Sequence, residues 1–431
     1  LDGILMMVGI IIGIGIFKAP QLVALNVGSE AAFIGVWVLG GVATLVGALV
    51  YAELAAAYPS TGGEYRFLAR AFGPSVGFMF AWARTTVIQT GAIAAIGFVL
   101  GDYAQQLYSL GTHGPAIYAG VTLAILTAVN LAGTHQSKTA QNLLAIFEVV
   151  AMLAIILVGF LLASGGTPSV PAASQDGSGG ALGLAMVFIL LTYGGWNEAA
   201  YLSADMRNVR QDMTRMLLIG TAIVTLLYVL INVAYLQVLG LDGLRKSEAV
   251  AADVMRLGLG GNGAIILSLI VCIAALSTMN ASIFTGARLY HALGEDLSLR
   301  RLRLWSNAGN NPRYAILAQS FIAMALILFG AVARDGFKAM VEYTAPVFWF
   351  FLLLVGISFF VLRRRDRDLE RPFRVPLYPI TPILFCLICA YLLYSSLVYT
   401  GTGALVGVAV LLLGLPLLLT VSKRSSVAPA E

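Results

Sequence analysis

Five ionisable side chains sit inside or at the edges of long apolar stretches of this chain: Lys18, Glu53, Arg84, Glu148 and Glu198. Lone charges in such surroundings pair with one another, bind a cation or a proton, or hold free backbone groups. Two glycine clusters add a second chemistry, that of the backbone itself. Gly9, Gly13 and Gly15 lie in the string GIIIGIGIF, followed by Lys18 and Pro20, and Gly194 and Gly195 lie in TYGGWNE from Thr192 to Glu198. A helix interrupted there leaves N–H groups open where it resumes and carbonyls open before the break. The N–H groups suit a carboxylate and the carbonyls an ammonium group, so a site offering both selects an α-amino acid or a similar zwitterion.

Other chemistries find little footing. His113, His135 and His291 fall at the ends of apolar runs, and no two have metal-ligand spacing. Cys272, Cys386 and Cys389 all lie within apolar runs, and Cys386 and Cys389 make a CxxC by spacing alone, so neither a disulfide framework nor a zinc cluster is expected. The chain has no HExxH and no GxxxxGK[ST] loop. No cofactor, metal, enzymatic activity or nucleotide-driven pumping is expected.

The elements that position these residues follow from composition. Of 431 residues, 59% are hydrophobic and 11% charged, against about 25% charged in soluble domains. A spanning helix needs about 20 apolar residues. Twelve runs of that kind fall at about 2–27, 31–57, 75–101, 115–133, 139–163, 181–204, 214–240, 262–289, 313–332, 338–362, 376–399 and 402–421. Gly13 is eleven residues from Asp2 and Gly194 twelve from Leu182, which places both breaks roughly 16–18 Å deep, at the bilayer midplane. Broken backbone at that depth is tolerated only where it lines a cavity.

With the first residue on the cytoplasmic side, inside loops collect nineteen of the 26 lysines and arginines, among them six arginines from Arg363 to Arg374. Six fall toward the outside, and Arg84 alone is assigned to neither side, deep within a run. This asymmetry orients the protein in a plasma membrane with both termini cytoplasmic, and it accounts for the net charge of +5 without a nucleic-acid partner. The first run is too long for a signal-peptide core and lacks a basic leader, so a natural N-terminal tail is expected before Leu1.

The breaks occupy corresponding positions in two groups of five runs. Five is odd, so the second group enters from the opposite face, giving an inverted repeat. The expected organisation is residues 1–163 as the first repeat, 164–180 as a Ser-, Gly- and Pro-rich external loop, 181–362 as the second repeat, and 363–431 as two further helices and a tail.

The chain resembles the amino acid, polyamine and organocation transporter superfamily, specifically the L-type amino acid transporters and their prokaryotic relatives. Six strings carry the resemblance in order: Gly13 to Phe17, Tyr51 to Tyr65, Asn130 to Asn142, Tyr193 to Asn197, Ser277 to Tyr290, and Arg371 to Pro379. It implies an all-α membrane protein with a LeuT-like five-plus-five inverted repeat and two extra helices. It implies a secondary transporter or exchanger of small to medium neutral L-amino acids, working by alternating access; a cationic amino acid or polyamine carrier, or a sensor on the same fold, is the other reading. Ile14 and Gly15 would then offer N–H groups to the substrate carboxylate, with Gly13 at the break, and the carbonyls of Ile11 and Leu191 would receive the amino group. Gly194, Trp196 and Asn197 would border the side-chain pocket. Relatives usually carry a small polar residue where this chain has Ile14, a gating aromatic where it has Leu191, and in many cases a lysine where it has Glu148. No ancillary subunit is specified.

Arg84 and Glu148 each rise about 13.5 Å from the cytoplasmic start of runs that point the same way. Opposite charges at one depth offset each other's burial, so a coupled pair is expected, completed by Ser277 and Thr278 and standing in for a coupling ion. The rival role for Glu148 is to carry a proton. Glu53 is expected to brace a neighbouring loop and Lys18 to snorkel to the interface. Glu198 has two open roles, contact with a cationic substrate or attachment to the scaffold.

Overall fold

The computed structural model describes residues 7–9, 11–60, 62–132, 138–164, 179–198, 209–296, 313–333 and 335–422, with backbone alone at 138–145, 164, 179–181, 209–212, 287–296 and 419–422. These residues form helices and turns, with no β-strand among them. In chain order the helices are α1 (Ala19–Leu25), α2 (Glu30–Ala57), α3 (Gly63–Phe72), α4 (Pro74–Ala104), α5 (Gly114–Leu131), α6 (Lys138–Ser164) and α7 (Gly179–Thr192). There follow α8 (Val209–Lys246), α9 (Val250–Asp296), α10 (Arg313–Val332), α11 (Gly336–Arg365), α12 (Ile380–Val398), α13 (Thr402–Leu412) and α14 (Gly414–Ser422). Among the described residues nine are long and apolar enough to cross a bilayer: α2, α4, α5, α6 and α8 to α12. The protein is an all-α, multi-span membrane protein.

Local sequence accounts for where these helices start and bend. Ser29 caps α2 by accepting from Ala32 N–H at 3.2 Å, and Asp335 caps α11 by accepting from Lys338 N–H at 3.0 Å. Gly240 and Gly260 adopt φ of 65° and 71° and break the helical path within α8 and α9, which therefore run well beyond the apolar runs that mark them in sequence. The last apolar run is divided into α13 and α14. An unexpected helix, α3, fills the link between the second and third runs. Most of the link between the fifth and sixth runs, 165–178, lies outside the described residues.

Helix α4 carries a π turn at Arg84–Ile88. Such a turn inserts one residue into an α-helix and detaches a carbonyl from its ladder. Here Thr86 C=O is taken up by the hydroxyls of Thr90 at 2.6 Å and Tyr343 at 2.9 Å. Large side chains such as Leu157, Leu161 and Phe321 point outward, as a lipid-facing surface requires. Small residues let the inner helices close up: a Cβ on Gly41 would stand 2.2 Å from Thr225 on α8. Because α11 runs from Asp335 to the arginines at 363–365, it defines two ends of the bundle, here the Asp335 end and the arginine-rich end.

Candidate functional site

Both expected breaks are present and lie against each other. Residues 12 and 13 leave the helical path, and the chain resumes as a 3₁₀ turn at Ile14–Phe17, a Lys18 kink and α1. Helix α7 stops at Thr192, turns through Tyr193 to Gly195 and resumes as a 3₁₀ turn at Trp196–Glu198. A Cβ on Gly15 would sit 3.4 Å from Thr192, which measures how closely the two breaks cross. Tyr228 on α8 joins them: its hydroxyl lies 3.1 Å from Ile11 C=O and 3.3 Å from Thr192 C=O. Tyr228 is itself fixed in an aromatic group with Tyr193 and Trp37, ring centroids 4.9 and 6.1 Å away.

Gly13 precedes the first 3₁₀ turn in an extended conformation (φ −117°, ψ 170°) and offers no side-chain cap. The N–H groups of Ile14 and Gly15 therefore stand at an open helix start, and neither has a partner among the described residues. This is the arrangement an anionic group can occupy. Of the two expected amine acceptors, Ile11 C=O accepts from Tyr228 and Leu191 C=O accepts from Gly194 N–H at 3.1 Å. Gly194 lies in the turn itself. Trp196 packs away from the first break, against Tyr51 and Phe385 at 4.8 and 6.3 Å between ring centroids. Asn197 donates to Glu64 at 3.1 Å. Sequence reasoning grouped these three around one pocket, and the structure spreads them from the crossing toward the arginine-rich end.

The direct pairing expected between Arg84 and Glu148 is not found. Arg84 grips Glu198 through Nη2, 2.6 and 2.7 Å from its two carboxylate oxygens, and donates through Nη1 to Glu64 at 3.2 Å. Glu64, from α3, also accepts from Tyr51 hydroxyl at 2.5 Å. Equal depth does not make neighbours: α6, which carries Glu148, packs on α8 and α9 and presents that side chain there. Glu148 is buried and has no ion-pair or hydrogen-bond partner among the described residues. Thr278 bonds back to Ala274 C=O at 3.0 Å, and no bond links it or Ser277 to Glu148. Glu64 was missed because it lies outside the apolar runs; the GGEY string that opens α3 was the available signal.

Lys18 does not snorkel. It is 4% exposed, with Nζ 2.9 Å from Asp102 at the end of α4 and 3.7 Å from Asp335 at the start of α11. Glu53 braces a loop as expected: fully buried, it accepts Val375 N–H at 2.7 Å and faces Arg371 and Arg363 at 3.4 and 3.6 Å. Beside it Asp366 accepts from Tyr58 hydroxyl at 2.8 Å and Arg70 at 3.0 Å. Burial alone would raise the Asp366 carboxyl, but those bonds and the charges of Arg70 and Arg365 hold it below the usual aspartate range.

His113 precedes α5, while His135 and the His291 side chain lie outside the described residues. Among the described residues no three His, Cys, Asp or Glu side chains are grouped to hold a metal ion. Gly73-Pro74-Ser75-Val76-Gly77 has the spacing of a nucleophile elbow, yet it joins two helices where that chemistry needs a strand before the turn.

Residues 1–418 match the amino acid permease family. The chain is 30% identical to the b(0,+)-type amino acid transporter 1 of Rattus norvegicus over 411 residues, covering 92% of this chain and 82% of that protein. It is 28% identical to the cystine/glutamate transporter of Homo sapiens over 96% of this chain and 83% of that one. It is 27% identical to the serine/threonine exchanger SteT of Bacillus subtilis (strain 168) over 98% and 95%.

Proposed function

The chain belongs to the amino acid permease family, and from that membership we propose an exchanger that carries neutral and cationic α-amino acids by alternating access around the crossing of its two broken helices. The observation that carries this is the open pair of N–H groups at Ile14 and Gly15, a few residues from the carbonyls that Tyr228 bridges. In this reading the substrate carboxylate takes the N–H groups and its ammonium competes with Tyr228 for Ile11 C=O, with the Leu191 carbonyl alongside. Polyamines have no carboxylate and would leave the N–H groups unmet. The extension from neutral to cationic substrates is supported by charge. Glu64 and Glu198 both pair with Arg84, so among the described residues two carboxylates stand beside the second break.

The frame for this reading is twelve spans, the nine long helices together with the broken first run, α7 and the α13–α14 pair. Residues 1–163 and 181–362 form inverted repeats joined by the 164–180 loop, and residues 363–431 follow. The arginine-rich end then faces the cytoplasm, with both termini there.

The test is counterflow in proteoliposomes preloaded with serine, leucine, lysine or arginine. Exchange by both the neutral and the basic set, lost when the substrate is an amide, is the expected result. No exchange with any amino acid overturns transport in favour of a sensor, and exchange by the neutral set alone overturns the cationic extension.

A second reading concerns coupling. With Arg84 engaged elsewhere, a Glu148 that has no partner among the described residues supports the proton-carrying role. Glu148→Gln should keep exchange and lose accumulation driven by a pH gradient; unchanged accumulation rejects it.

A further inference from the structure

Each of the two broken helices ends its resumed turn in a charged residue three positions past a glycine of the break: Lys18 after Gly15, and Glu198 after Gly195. Both side chains reach the same helix. Lys18 meets Asp102 near the Asp335 end of α4, and Glu198 meets Arg84 toward the arginine-rich end. Arg84 and Asp102 are eighteen positions apart, about 27 Å along a helix, close to the thickness of a hydrocarbon core at about 30 Å. The polarity is reversed between the two. At one end the broken helix brings the cation and α4 the anion; at the other the broken helix brings the anion and α4 the cation.

We propose that Lys18–Asp102 and Glu198–Arg84 are two gate locks, placed at equivalent positions of the two repeats, that close opposite ends of the substrate path onto α4. The proposal rests on alternating access as stated above. Both locks are made in this structure, and the crossing of the breaks lies between them. Each has a resident second acid, Asp335 beside Lys18 at 3.7 Å and Glu64 beside Arg84 at 3.2 Å. When Glu198 swings away with its helix, Glu64 stays on Arg84. When Lys18 withdraws from Asp102, Asp335 is the remaining anion for it. Reversed polarity has a further use: a lock residue that strays to the wrong end meets its own sign on α4, so the two gates cannot exchange partners.

A merely structural pair of salt bridges would stiffen the protein without regard to side, and this separates the two views. The reporter is Thr192→Cys, at the crossing, in a chain whose Cys272, Cys386 and Cys389 are replaced by alanine. Its reaction rate with a membrane-impermeant thiol reagent is measured on intact cells and on inside-out membranes. Lys18→Met and Asp102→Asn should each raise labelling about tenfold from the outside only, and Glu198→Gln about tenfold from the cytoplasmic side only. The swap Lys18→Asp with Asp102→Lys, made together with Asp335→Asn so that the relocated carboxylate does not face a second acid, should restore the parent rate. Equal change from both sides, or no change in any variant that elutes as a single species, overturns the locks. Counterflow by the reporter chain is measured in parallel. Its absence together with one-sided labelling would reject transport and leave the gates standing, so the two readings fail separately.

Discussion

The two charged clusters on α4 are built from the same parts and differ in how wet they are. At the Asp335 end the lysine side chain is 5% exposed and those of its partners 15% and 25%. At the arginine-rich end Arg84 and Glu64 are 12% and 4% exposed, but Glu198, the partner from the broken helix, is 40% exposed. Water screens an exposed ion pair to about 1 kcal/mol or less, whereas removing one member of a buried pair leaves a bare charge at about 3–5 kcal/mol. The lesson is that geometry alone does not rank these contacts. The shortest of them, Arg84 to Glu198 at 2.6 Å, is the cheaper to release.

That ranking can be broken by experiment. Lys18→Met should have the largest effect, a loss of about 3–5 kcal/mol read as a fall in detergent-solubilised unfolding temperature, because Asp102 is left buried and unpaired. Adding Asp102→Asn should return most of it. Arg84→Met comes next, at about 2–4 kcal/mol, since the buried Glu64 loses the cation that faces it, the hydrogen bonds from Tyr51 and Asn197 being neutral. Glu198→Gln should cost about 1 kcal/mol. A cost for Glu198→Gln equal to that of Lys18→Met would mean that exposure does not decide the difference. The smallest effect belongs to the clasp at Asp366. Its folded carboxyl is depressed, so its contribution is complete above the ordinary aspartate range near 3.9 and is lost as pH falls through the folded value. Asp366→Asn should therefore lower stability by about 0.5 kcal/mol at neutral pH and make no difference in strong acid.

Much of the site was legible in the sequence because its signals were local. The closely spaced glycines at 13 and 15 and at 194 and 195 weaken a helix at one point of the chain, and their depth follows from counting residues. The lock partners were not legible, for a different reason. Residue count gave Arg84 and Glu148 the same height, but which neighbour each faces depends on helix rotation, and the π turn at Arg84–Ile88 leaves no sign in the apolar pattern. Nor did the run-based reading see α3, whose ten residues alternate charged and apolar faces and lie outside every run, although α3 supplies Glu64. Lys18 was assigned to the interface because Asp102 and Asp335 were far off in sequence; only tertiary packing brings them to within 4 Å.

The π turn also sets an angular phase. In an unbroken α-helix eighteen residues complete five turns, so positions 84 and 102 would look the same way. One inserted residue offsets them by about 100°, roughly a quarter of a circle. Helix α4 thus addresses Glu198 and Lys18 along two different bearings, as their separate approach from the two broken helices requires. Rewinding that turn into regular α geometry, with every residue kept, would bring the bearings back into line and turn Asp102 away from Lys18, whereas deleting one residue between Thr85 and Val87 would leave the offset as it is.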